Sequence, residues 1–281
     1  MTHELCITVN GTEVWLQGQG AEVILMLHGW PDTHELWDGT VAALQDRASC
    51  ARLTLPGFET GPAATSLDDM CQLLRQVVDR ISPDQPVTLM LHDWGCIFGY
   101  EFAMRHPERV ARVVAVDVGD HNSDSLMREW GAKEKLAVMG YQVWLGLSWK
   151  LGQGFNQSLG NRMTRAMARW LRCPTDSGRI THSMNYPYAM QWFGTAGGFK
   201  RAAQIQLPMP LLFVYGERKH FMFHSAKWLE KVASNPDSAI QGLPCGHWVM
   251  LSKPEAFHAR VRQWLWGKSG ADKTERLALE T

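Results

Sequence analysis

The apolar run LMLHDWGC (89–96) stops on Asp93, a carboxylate at the point where a strand-like segment gives way to a helix-like one. A carboxylate is ionised at pH 7 and can attack as it stands, whereas a serine hydroxyl must first lose a proton. The products differ as well. A serine that attacks saturated carbon leaves an ether, which water does not readily cleave. An aspartate leaves an ester, and a histidine can direct water onto its carbonyl. His247, in GHW near the C-terminal end, is the candidate for that histidine. A competing assignment makes Asp93 a helix N-cap, where Asp is favoured. The catalytic assignment is preferred because two further motifs, HGWP (28–31) and GHW (246–248), stand at comparable places in the pattern. His28 and His92 are read as structural, His28 bracing the loop backbone.

These residues need elements to hold them. CITVNGTEVWL alternates apolar and polar residues around Asn10-Gly11, the signature of a two-residue hairpin. EVILMLHGW (22–30) is a continuous apolar run, as in a strand buried on both faces. ARLTLPGF (51–58), PVTLMLHDW (86–94), RVVAVDVGD (112–120), MPLLFVYGERKHF (209–221) and SAIQGLPCGHW (238–248) supply further strands. Between them the spacing predicts helices over 66–81, with Ser66 and Asp69 as a capping box, and over 95–110, 224–234 and 253–266. Strand and helix in alternation mean a mostly parallel sheet with helices on both faces. The rhythm breaks over 121–206, which reads as a helical insertion after the sixth strand. The expected organisation is a core of residues 1–120 and 207–281 with a cap of residues 121–206. Residues 267–281 are charged and expected to fray. Ligands in open sheets of this kind bind outside the carboxyl ends of the strands, and Trp30, Asp93 and His247 all fall at such ends.

Composition narrows the function. The chain has 281 residues, a formal net charge of zero, 45% apolar and 20% charged residues. Balanced charge gives no reason to expect nucleic acid or an acidic membrane as partner. No basic start precedes an apolar run, and no segment approaches a membrane span, so a cytoplasmic location is expected. Six scattered cysteines without a CxxC pair read as reduced thiols. Eleven histidines without HExxH give no metal site, and no cofactor is expected. Of thirteen tryptophans, Trp30, Trp94, Trp144, Trp149 and Trp192 fall where a pocket could be lined.

Together HGWP, HDWG and GHW resemble the α/β-hydrolase fold over roughly residues 5–266, with HDWG as its nucleophile elbow. Within that fold, HDWG with HGWP resembles the epoxide hydrolase and haloalkane dehalogenase branch. The resemblance implies Asp93 as nucleophile and His247 as activator of water. It implies the backbone N–H groups of Trp30 and Trp94 as the oxyanion site. Two positions depart from the pattern. Leu91, two before Asp93, replaces the commoner small residue. Members of the fold commonly read YGxxD after the seventh strand, where YGERK puts Lys219. Some dehalogenases take the triad acid from the end of the sixth strand. The corresponding residue here, counted from the Arg of PERV, is Asp117, with Glu217 and Asp120 as alternatives.

The resemblance also separates two leaving groups. Epoxide hydrolases offer two cap tyrosines to protonate the departing oxygen. GYQVWL is similar to the first such segment, at Tyr141, and MNYPYAMQW to the second. In the second, Tyr186 is the first choice and Tyr188 competes as a substrate-binding residue. Trp30 favours an epoxide, since many dehalogenases place a halide-binding Asn there. The expected activity is therefore epoxide hydrolysis of a small apolar organic substrate with water. A haloalkane dehalogenase-type hydrolase is the alternative. A catalytically silent ligand-binding homologue, motivated by Lys219, is the third reading. Oligomeric state is left open by the sequence.

Overall fold

A computed structural model describes residues 4–59, 64–121 and 123–267. The strands are β1 (Leu5–Val9), β2 (Thr12–Gln17), β3 (Glu22–Leu27), β4 (Ala48–Leu53), β5 (Val87–His92), β6 (Val110–Val116), β7 (Leu211–Gly216) and β8 (Ala239–Leu243). They form one sheet in the order β1-β2-β4-β3-β5-β6-β7-β8. β1/β2 and β2/β4 pair antiparallel, and every pair from β4/β3 to β7/β8 is parallel. The hairpin turns at Asn10 (φ 48°) and Gly11 (φ 77°), the two left-handed residues that the Asn-Gly signal anticipates.

Ten helices complete the described chain: α1 (Asp38–Leu44), α2 (Leu67–Ile81), α3 (Trp94–Arg105), α4 (Asp124–Glu129), α5 (Ala132–Gly154), α6 (Gln157–Trp170), α7 (Tyr186–Phe193), α8 (Ala226–Ala233), α9 (Val249–Ser252) and α10 (Pro254–Trp266). Side chains alternate across each parallel strand, so Leu89 and Leu91 pack with α2 and α3 on one face, and Met90 packs with α1 and α10 on the other. α1 has no counterpart in the sequence reading; its seven residues are too few for a periodic signal. Ser66 caps α2, its Oγ accepting from Asp69 N–H at 3.1 Å. The Asp69 carboxylate accepts from the Ser66 hydroxyl at 2.6 Å, where a capping box would put the Ser66 backbone N–H.

Residues 121–206 carry α4–α7 and, among the described residues, no strand. Their buried apolar residues, among them Leu145, Ala168 and Met190, belong to the same cluster as Leu89 and Phe98. The helices are thus packed onto the sheet's own core. The charged segment from residue 268 onward lies outside the described residues.

The topology explains where a site forms. β4 lies on one side of β3 and β5 on the other, so the chain reverses its direction of travel across the sheet between β3 and β5. The loops after those two strands diverge and leave a crevice. Trp30 follows β3 and Asp93 follows β5. Leu89→Ala, in the fully buried centre of β5, is expected to cost about 3 kcal/mol through lost burial and the cavity left behind. Urea unfolding should show a lowered midpoint at an unchanged slope.

Candidate active site

Asp93 sits between β5 and α3 at φ 52°, ψ −122°, a left-handed conformation that only surrounding structure sustains in a non-glycine residue. The turn is possible because its neighbours lack side chains. A Cβ on Gly29 would lie 2.3 Å from Asp93 Oδ1, and one on Gly95 would lie 2.3 Å from the Leu27 carbonyl oxygen. α3 has no side-chain cap, and the Trp94 N–H at its start points out of the first turn without an intrahelical partner. The Trp30 N–H donates to Asp93 Oδ1 at 2.7 Å.

His247 lies in the loop after β8. Its Nε2 is 3.5 Å from Asp93 Oδ2, and its Nδ1 hydrogen-bonds Asp117 Oδ2. Asp117 follows β6, is fully buried, and also has a positive φ (71°). Its other oxygen, Oδ1, accepts from the Gly216 N–H at 3.0 Å and from the Lys219 ammonium. Neither alternative acid meets the histidine. Asp120 instead accepts from Ser225 N–H, Ser225 Oγ and Ser123 Oγ at 2.6–2.7 Å, and Glu217 is exposed.

Burial works against each of these charges, and the partners outweigh it. The His247 bond and charge hold the Asp93 carboxyl below its ordinary value. Lys219 and His247 hold Asp117 far below the usual carboxylate range. The two carboxylates raise His247 to about 9. The imidazole is therefore charged at pH 7 while Asp93 is ionised.

His28 and His92 brace the backbone and rings around the site. Leu55 N–H donates to His28 Nε2 at 2.9 Å, so Nδ1 carries the proton and donates to the Gly29 carbonyl at 2.8 Å. His28 thus ties the loop after β3 to that after β4. The His92 ring packs against His247 at 4.5 Å.

A cavity of ≈ 50 Å³ opens over Asp93, walled by Trp94, His121, Tyr141, Tyr188 and Phe223. Tyr186 is not part of it. Positions 186 and 188 differ by about 200° around α7. That turn points Tyr188 at Trp94 (ring centroids 5.0 Å apart) and Trp30 (5.9 Å), and buries Tyr186 between Phe58 and Phe98. The order of choice between the two is therefore reversed: Tyr188, not Tyr186, faces the carboxylate beside Tyr141. Burial raises both cavity phenols well above the ordinary value, which keeps them protonated. Trp144 and Trp192, expected as possible lining, lie at the exposed side of their helices.

Three residues that the sequence reading passed over support the site. Asn185 Oδ1 accepts from the Trp30 indole N–H at 2.7 Å, and its Nδ2 donates to Ser148 Oγ (2.6 Å) and Thr164 Oγ1 (2.7 Å), tying the loop after β3 to α5 and α6. Asp32 accepts from the Trp248 indole at 2.9 Å, bracing the residue after His247. Gln142 Oε1 accepts from the Trp192 indole at 3.0 Å, so its amide nitrogen faces Tyr141 and donates to the phenol oxygen at 3.3 Å. The Tyr141 hydrogen is left free for another acceptor. Asn185 and Asp32 reach partners from 21 to 216 residues away in the chain, a separation at which no spacing signal exists.

A family model for the alpha/beta hydrolase fold matches residues 22–254. The chain belongs to the α/β-hydrolase fold family. It is 26% identical over 214 residues to a pimeloyl-[acyl-carrier protein] methyl ester esterase of Aeromonas hydrophila, covering 71% of this chain and 77% of that protein. It is 30% identical over 112 residues to a cis-3-alkyl-4-alkyloxetan-2-one decarboxylase of Shewanella oneidensis, covering 37% of this chain and 34% of that protein. Among solved structures it is similar to an epoxide hydrolase of Bacillus megaterium (TM-score 0.69, 20% identity, 93% of this chain and 99% of that one). Epoxide hydrolase A of Mycobacterium thermoresistibile is similar at TM-score 0.68 and 19% identity, over 95% and 99% of the two chains. These two likenesses speak to the fold.

The Lys219 contact has a measurable consequence. The ammonium offsets part of the Asp117 charge that His247 feels, so Lys219→Met should raise the His247 pKa further and Asp117→Asn should lower it. Titration of the His247 ring by NMR reads both shifts. Because the folded value lies above the ordinary one of about 6.5, the stability that His247 contributes is complete below that pH. It is lost as the pH climbs through about 9.

Proposed function

We propose that this α/β-hydrolase is an epoxide hydrolase that works through an alkyl ester on Asp93. One observation carries the reading: a half-buried carboxylate at the elbow faces a histidine on one side and two protonated phenols, Tyr141 and Tyr188, across the cavity. In this reading the helices of residues 121–206 act as a cap over a core of residues 1–120 and 207–281.

Asp93 Oδ1 is held by the Trp30 N–H, which leaves Oδ2 to attack. Oδ2 forms a bond to an epoxide carbon as the C–O bond breaks. The departing oxygen takes a proton from Tyr141 or Tyr188. Esterification removes the Asp93 charge, and with it part of what keeps His247 protonated. The imidazole can then give up its proton, which restores the phenol left ionised by the first step, and act as a base, its orientation fixed by Asp117. Water attacks the ester carbonyl carbon, its proton passes to Nε2, and negative charge collects on Oδ1 beside the Trp30 and Trp94 N–H groups. Collapse frees the diol and restores the carboxylate.

The alternatives fit less well. Halide release needs N–H donors facing the cavity, and the Trp30 indole N–H is already engaged by Asn185. A silent binding protein was suggested by Lys219, yet Asp117 meets His247 from the neighbouring strand, and Lys219 supports it there.

His247→Gln should form the ester and fail to hydrolyse it. Intact-mass spectrometry after incubation with a terminal epoxide should show a stoichiometric adduct on the Asp93 peptide; an adduct elsewhere, or turnover by Asp93→Ala, would overturn the proposal. A panel of epoxides and haloalkanes read for diol and halide separates the leaving groups. Asp117→Asn should lower turnover by on the order of 10³-fold or more with little change in binding. Tyr141→Phe should slow single-turnover epoxide opening by about 10²-fold, the usual worth of a positioned acid. It should leave displacement of an alkyl bromide unchanged, since bromide departs without a proton.

A further inference from the structure

α5 is a 23-residue helix, about 35 Å long, with one side in the core and the other bare. Leu136, Trp144, Leu147, Leu151 and Phe155 recur within about 120° of arc at 3.6 residues per turn. All five are exposed, Leu136 to 65% and Phe155 to 81%. α6 packs alongside, with Trp144 Nε1 donating to the Met163 carbonyl at 3.1 Å, and adds exposed Leu159 and Trp170, the latter 66% exposed. A monomer that keeps its large apolar side chains in solvent along a whole helix needs something to cover them.

The charges on these two helices say what. α5 carries Lys133, Lys135 and Lys150 against a single acid, Glu134; Lys133 projects from the stripe itself and Lys150 about 90° from its middle, with Glu134 about 110° and Lys135 about 150° from it. α6 carries Arg162, Arg165 and Arg169 and no acid at all. Lys133, Lys135, Arg162 and Arg169 have no ion-pair partner among the described residues. The zero net charge of the chain therefore conceals a locally cationic face whose apolar stripe is flanked by lysine and arginine, with tryptophan at its margins. That composition is the signature of a helix lying in a lipid interface, with apolar side chains in the acyl boundary and cations among anionic headgroups. Two copies meeting through this face would bring like charges together without an acid to pair them, so a second copy fits it poorly. No helix among the described residues is long and apolar enough to cross a membrane, which leaves a surface mode.

We propose that the α5–α6 face docks the protein onto anionic bilayer surfaces. The surface does not depend on the reaction proposed above. It would, however, set a hydrolase for apolar substrates beside the phase into which such substrates partition, on the helix that carries Tyr141.

The test is sedimentation of the full chain with vesicles of phosphatidylcholine alone, and of phosphatidylcholine containing phosphatidylglycerol. The expected result is binding to the anionic vesicles that weakens as salt is raised, with little binding to the neutral ones. The double variant Leu151→Ser, Phe155→Ser should lower the partition coefficient about tenfold or more, from the apolar area withdrawn. Lys133→Gln with Arg169→Gln should lower it too and flatten the salt dependence. All four side chains are exposed and outside the cavity, so melting temperature and turnover of a water-soluble substrate should hold steady. Failure of the wild-type chain to bind anionic vesicles at low salt, or binding by both variants equal to wild type, overturns the proposal. So does a wild-type dimer in sedimentation velocity that Phe155→Ser dissociates, with no vesicle binding, since the face then belongs to a second copy.

Discussion

Keeping a carboxylate ionised inside the protein is the constraint on which the rest of the site depends. A buried charge without a partner would neutralise itself by taking a proton. The solution here is a row of alternating charges: Asp93, His247, Asp117, Lys219. Each inner member faces an opposite charge on both sides. Each end is also tied to the backbone or its neighbourhood, Asp93 by the Trp30 N–H and the open first turn of α3. Lys219 in this light completes the row. In the proposed reaction the acid commonly found after the seventh strand is supplied instead from the end of the sixth, and a cation stands at the usual position.

The fold supplies this row economically. β5 and β6 are neighbours, so Asp93 and Asp117 emerge side by side. β7 adjoins β6 and delivers Lys219 and the Gly216 N–H to the far oxygen of Asp117. β8 is one strand further out, and its following loop reaches back to set His247 between the two carboxylates. Both aspartates adopt positive φ at strand ends. The strain lies where the chain must turn sharply enough to present a side chain above the sheet edge, and it is tolerated because packing and hydrogen bonds over-determine the turn.

The helices between β6 and β7 are coupled to that row through polar contacts in an otherwise apolar interface. Asn185 is fully buried and satisfied on three sides by Trp30, Ser148 and Thr164. Removing one partner would leave the others unpaired in a dry environment, so these contacts specify how the helices sit over Asp93 as well as adding stability. The same helices turn Tyr141 and Tyr188 inward and the apolar and cationic side chains of α5 outward.

By itself the sequence determined the elements and the ends at which chemistry could occur. Continuous apolar runs of strand length, bounded by turn residues, read as strands buried on both faces, and Asn10-Gly11 marks the hairpin turn. Asp93 and His247 were legible because each falls near the end of such a run, and Asp117 because the resemblance to some dehalogenases points to that position, counted from Arg109. What the tertiary structure decided are relations between elements. Tyr186 and Tyr188 stand two residues apart in one segment, and only the rotation of α7 against α3 put Tyr188 at the cavity and Tyr186 in the core. The Trp30 indole is held by Asn185, a contact 155 residues away in the chain. Lys219 read as a loss because its sequence position is that of an acid, and its value comes from a contact 102 residues away. Periodicity encodes which side of an element is buried. It does not encode which partner the buried side meets, because that depends on the packing angle of segments far apart in the chain.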